Sequence, residues 1–132
     1  MRNQAEHNTF IFNNEIDRDL LFSLYEDDFP YIEEIFSITL SQIKPDISQL
    51  LTAFEAGNTQ ELRRAAHKLK PSFGFVGLPA MQEQCRQFES ECSVATSVDS
   101  LTPSFRKLVA GLDASVILLE SEYQKLKEFN QP

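Results

Sequence analysis

Apolar residues recur along this chain at alternating steps of three and four, the spacing that puts them on one side of a helix. The clearest run is Phe29, Ile32, Phe36, Leu40, Ile43, Ile47, Leu50 and Phe54. Asp28 is placed to cap this helix, and Pro30 falls where an early-helix proline is tolerated. Pro45 interrupts it. The seam keeps its phase on both sides, which predicts a bend and not a break. Gly57-Asn58 ends it, and Asn58 or Thr59 starts the next helix. There, Leu62, Ala65, Leu69, Ser72, Phe73 and Val76 share one side as far as Gly77. A fourth pattern begins at Pro79, with Leu78, Met81, Cys85, Phe88 and Cys92 as its seam. The small polar stretch Ser93 to Ser100 reads as a connection. Thr102-Pro103 then opens a long last helix with the seam Phe105, Leu108, Leu112, Val116, Leu119, Tyr123 and Leu126.

Ahead of these, Asp17 can cap a short helix that buries Leu20, Leu21 and Leu24. Residues 1–14 are polar apart from Phe10, Ile11 and Phe12. The segment is expected to be flexible, with that patch leaning on the remainder. One-sided helices joined by short links favour antiparallel neighbours. The expected fold is all-α: an up-down-up-down four-helix bundle with an additional short N-terminal helix, one domain over residues 15–130.

Composition narrows the function. The 132 residues carry a formal charge of −8, with a pI near 4.7. No basic face is large enough to follow a phosphate backbone, so nucleic acid is not an expected partner. No apolar run is long enough to cross a bilayer, and the first ten residues have no signal-peptide core, so a cytoplasmic location is expected. Cys85 and Cys92, seven apart on one helix face, are about 10 Å from each other, too far for a disulfide, and read as buried thiols. No GxxxxGK[ST] loop is present for a nucleotide, and the two histidines match no metal-ligand spacing, so no metal site is expected.

The informative stretch is Leu62 to Gly77. Its apolar side lies opposite His67, so the imidazole is expected to face solvent. Arg63, Arg64, Lys68 and Lys70 surround it in sequence with no acid among them, within a chain that is acidic overall. Imidazole is a competent nucleophile near neutral pH, and neighbouring cations suit a group that gains negative charge. Phosphorylation is such a gain. Lys70, one turn on, is placed to offset the charge of a phosphoryl group. Gly74 leaves room for a partner's backbone.

His67, Leu69, Lys70, Ser72 and Gly77 resemble the signature H-x-L-K-G-S-x-x-x-x-G of the histidine-phosphotransfer (HPt) family, and the resemblance runs on through Cys85 and Glu89. One departure is Pro71, where the family usually has glycine; it has no N–H for the His67 carbonyl, and a local kink is expected. The resemblance implies the same bundle, with His67 as phosphoacceptor on a bundle helix. It implies that Glu89 orients the imidazole and that Lys70 screens the phosphoryl oxygens. Arg63, Arg64, Lys68, Pro71, Gly74, Phe75 and Leu78 are the expected partner contacts. The implied partners are response-regulator receiver domains and a hybrid histidine kinase. The receiver brings Mg²⁺ and most catalytic groups, so the chain, expected to be monomeric, needs no cofactor of its own and is a carrier without an ATP site. Two other readings are a phosphorylation-inactive bundle that only binds receivers, and a dimerising phosphoacceptor fragment of a sensor histidine kinase. The second usually has an acid after its histidine, where this chain has Lys68.

Overall fold

A computed structural model of the chain describes residues 9–131. Among these residues five α-helices follow in order: α1 (Arg18–Tyr25), α2 (Phe29–Glu55), α3 (Thr59–Phe75), α4 (Pro79–Val94) and α5 (Thr102–Asn130), with a 3₁₀ turn at Asp99–Leu101. No strand occurs among the described residues. The predicted caps are in place. The side chains of Asp17, Asp28 and Asn58 accept from the backbone N–H groups of Leu20, Tyr31 and Glu61. The last helix starts at Thr102 itself, with Leu101 as its cap residue.

α2 to α5 form an antiparallel bundle, shown by pairs that run in opposite directions along each neighbour. Phe54 stacks on Phe105 at 3.9 Å between ring centroids, Lys44 pairs with Glu120 at 2.7 Å, and Asn130 donates to the Phe29 carbonyl at 3.0 Å. Between α3 and α4, His67 meets Glu89 while Gly74 lies against Gln82. Between α4 and α5, Glu91 meets Ser104 and Phe88 meets Phe105. The core between them is made of Phe36, Phe73, Phe88 and a set of fully buried leucines and isoleucines.

The seams hold with local corrections. α2 runs through Pro45 and α3 through Pro71 without interruption. Leu24, expected inside, is exposed: α1 is two turns long and buries only Leu21 fully. On α5 the buried line passes through Ser115 and Glu122, leaving Val116 and Tyr123 half-buried. On α2 it takes in Thr39 and Asp46.

Residues 9–14 are held down. Phe10 and Phe12 pack on Phe29, Phe36 and Phe129, and the Asn13 N–H donates to Glu122 at 2.7 Å. The apolar patch therefore ties this part of the chain to the bundle, and residues 1–8 of the segment expected to be flexible lie outside the described residues. Further along, the Asp17 N–H donates to the Gly77 carbonyl, and the Tyr25 hydroxyl to that of Phe75, which seats α1 across the end of α3. Gly77 has φ +76°, and a Cβ there would meet Ile16 at 2.9 Å, so this turn needs glycine on both counts.

Candidate functional site

His67 lies midway along α3. Its buried flank is Leu62, Ala66, Leu69 and Phe73, which pack into the core and turn the imidazole outward with 64% of its side chain exposed. The ring is nonetheless fixed. Nδ1 lies 2.6 Å from Glu89 Oε2 on α4. A carboxylate only accepts, so the bond places a proton on Nδ1 and leaves Nε2 as the basic nitrogen. The other oxygen of Glu89 lies 2.7 Å from Lys70 Nζ. Burial would raise the Glu89 carboxyl, but hydrogen bonds from Lys70 and His67 outweigh it and hold it below its ordinary value of 4.5. Glu89 is thus an ionised, doubly held anchor at the α3–α4 seam, 16% exposed.

The basic cluster looks unopposed in sequence, yet acids from elsewhere meet most of it. Arg64 pairs with Glu61 one turn back, Lys68 with Asp46 of α2, and Lys70 with Glu89 of α4. Arg63 is half-buried toward α4, where its charge acts on Cys92. Burial pushes the Cys92 thiol up to about 11 and that of Cys85 up to about 12, against weak opposition from Arg63 and Lys70. Both are inert thiols at neutral pH.

The expected contact residues divide. Pro71, one turn past His67, and Phe75, two turns past it, are both exposed on α3. Leu78 is not available: it precedes α4, is 8% exposed and belongs to the core. The space expected at Gly74 is filled from within, because a Cβ there would meet the Gln82 side chain at 3.0 Å. Gln82, Glu83 and Arg86 of α4, with Pro79, form the far wall of a shallow groove whose near wall is His67, Lys68, Lys70 and Pro71. Arg86 is held there by both oxygens of Glu83. These α4 residues were missed because nothing in a linear reading sets them opposite His67; counting seven residues back from Glu89 along an antiparallel neighbour would have found Gln82 and its turn. Asp46 was missed for another reason. It sits in phase with the α2 seam, where an acid is unexpected.

No group of three or more His, Cys, Asp or Glu residues that would hold a metal ion occurs among the described residues. No helix among them is long and apolar enough to cross a membrane.

Among solved structures, the bundle is similar to the crystal structure of the HPt domain from an Hpt sensor hybrid histidine kinase of Shewanella. The two superpose with a TM-score of 0.61 over 92% of each chain, at 19% sequence identity, a likeness of fold. No curated protein matches the sequence. The family model described as "Hpt domain" matches residues 34–128, a span that takes in most of α2 and all of α3, α4 and the site. The chain belongs to the Hpt domain family.

Proposed function

We propose that this chain is a phosphorelay intermediate in which His67 accepts a phosphoryl group from the aspartate of one receiver domain and passes it to the aspartate of another. The observation that carries the reading is the Nδ1–Glu89 bond beneath an exposed ring, which fixes the tautomer and aims Nε2 chemistry outward. In the transfer, the Nε2 lone pair attacks the phosphorus of the aspartyl phosphate in line. The N–P bond forms as the bond from phosphorus to the aspartate oxygen breaks, and the electron pair leaves with the carboxylate. No proton has to move, because Nδ1 already holds one. The ring gains positive charge, which Glu89 stabilises. The reverse steps deliver the group to the second receiver.

Lys70 bridges the seam at Glu89, on the wall of the groove, and supplies a cation for phosphoryl oxygens. Phe75 and Pro71 offer apolar contact to the receiver on one side, and Arg86 a charge on the other. Mg²⁺ and the remaining catalytic groups belong to the receiver, so the chain acts as a carrier and not as an enzyme by itself.

Transfer from a panel of phosphorylated receivers tests the proposal. At least one should place acid-labile label on the native chain and none on His67→Gln. Label that persists in the variant moves the acceptor elsewhere. Binding without label, to every receiver, supports the phosphorylation-inactive reading instead.

A further inference from the structure

Lys68 and Lys70 leave α3 on opposite sides of His67, and each ends on an acid from a neighbouring helix. Glu89 is accounted for by the imidazole. Asp46 is not. It lies on the apolar seam of α2 between Ile43 and Leu50 and is 2% exposed. Its Oδ1 meets Lys68 Nζ at 3.2 Å, while its Oδ2 is buried without a hydrogen-bond partner. Packing does not ask for this group. A buried carboxylate that faces one cation and leaves an oxygen unsatisfied stabilises a helix pair no better than an apolar residue of similar size. What it does achieve is local to the site. It holds an ammonium whose side chain is half exposed, on the residue next to His67 and on the wall of the same groove.

We propose that Asp46 is a positioning residue: it pins Lys68 on the rim between α2 and α3, so that an incoming receiver meets an ordered cation beside the phosphoacceptor. The inference rests on the phosphotransfer reading above. A lysine on four rotatable bonds loses freedom when a partner fixes it, and a charge fixed beforehand avoids that loss. The acid reaches the site only through the lysine.

The discriminating variant is Asp46→Asn in the full chain, which is nearly isosteric and removes the buried charge. Its thermal midpoint should be equal to or above that of the native chain. In amine-resolved lysine NMR, Lys68 should lose its ordered, hydrogen-bonded signature. The dissociation constant for a receiver that labels the native chain should rise by about 3- to 10-fold, with the rate of transfer within the complex little changed. In a Lys68→Met background the same Asp46→Asn change should leave receiver affinity unaltered. Lys68 order and receiver affinity that do not respond to Asp46→Asn would overturn the proposal. So would a loss of affinity that persists without Lys68, since Asp46 would then act through the fold. Lys68→Met strands a buried acid, so its melting is checked first; if it does not fold, the Lys68 spectrum and affinity of Asp46→Asn decide the matter. If no receiver labels the native chain, the phosphotransfer reading fails by itself, and the Lys68 spectrum still reports whether Asp46 orders the lysine.

Discussion

Two glutamates on two seams of this bundle have opposite employment. Glu89 stands at the rim between α3 and α4, with both oxygens held, one by the His67 imidazole and one by Lys70. Glu122 stands on α5 with no exposure at all; one oxygen accepts from the Asn13 backbone and the other faces Lys125 Nζ at 3.1 Å. Each replaces an apolar residue near a helix seam. The difference is what they hold. Glu122 fastens a segment of the chain's own backbone to the bundle, beside the rings of Phe10 and Phe12. Glu89 fastens a side chain whose far edge is open to solvent. The partner sets the contrast: Glu122 holds backbone and joins two parts of the fold, and Glu89 holds a side chain that remains open to solvent.

The contrast is broken most severely at His67. His67→Gln keeps the size and an amide able to meet Glu89, so the fold should persist while labelling by phosphorylated receivers falls to nothing. Glu89→Gln comes next. The carboxamide no longer imposes a proton on Nδ1, and transfer should slow by roughly 10- to 100-fold, the range for a lost partner that orients an imidazole, while the chain stays folded with a modest loss of stability at neutral pH. Equal transfer rates would show that the seam contact is only structural. Glu122→Ala should do the converse. It strands the Asn13 N–H and should cost about 1–3 kcal/mol of stability, measured by urea unfolding, while the transfer rate stays native.

These expectations depend unequally on what the sequence made legible. The helices were readable because their seams are long and their caps chemically explicit: Asp17, Asp28 and Asn58 are short acceptors placed one step before an apolar period. His67 was readable because its helix is apolar on the other side. Of the contacts across helices only that of Glu89 with His67 was legible, through the family resemblance. A linear reading places Lys68 and Lys70 in an unopposed basic cluster, and only the antiparallel packing of α2 and α4 brings Asp46 and Glu89 to them. Polar residues on a seam were also hidden. Asp46, Ser115 and Glu122 keep the apolar period, but a pattern that sorts residues into inside and outside by polarity assigns them to solvent. Leu78 carried two expectations, a place on the buried seam of α4 and a contact with a partner, and its burial after the turn at Gly77 favours the seam.

A smaller effect sharpens the comparison through pH. Glu89 is held below its ordinary value of 4.5 in the folded chain, where hydrogen bonds from Lys70 and His67 outweigh its burial. A carboxyl lowered by folding contributes stability that is fully present above its unfolded value and is lost as pH falls through its folded one. The stability difference between the native chain and Glu89→Gln should therefore be constant above about pH 5 and shrink below about pH 4. Urea midpoints across that range measure it; a difference that grows with acid would reverse the sign assigned to this group.

The central claim is that Glu89 holds the ring by Nδ1 so that Nε2 carries the phosphoryl group. Nitrogen-15 NMR of histidine-labelled protein, phosphorylated by a receiver, reads this directly. The expected spectrum shows phosphorus coupled to Nε2 of His67 and a proton retained on Nδ1. Phosphorus coupled to Nδ1, or a ring whose Nδ1 proton is lost while Glu89 is intact, would contradict it.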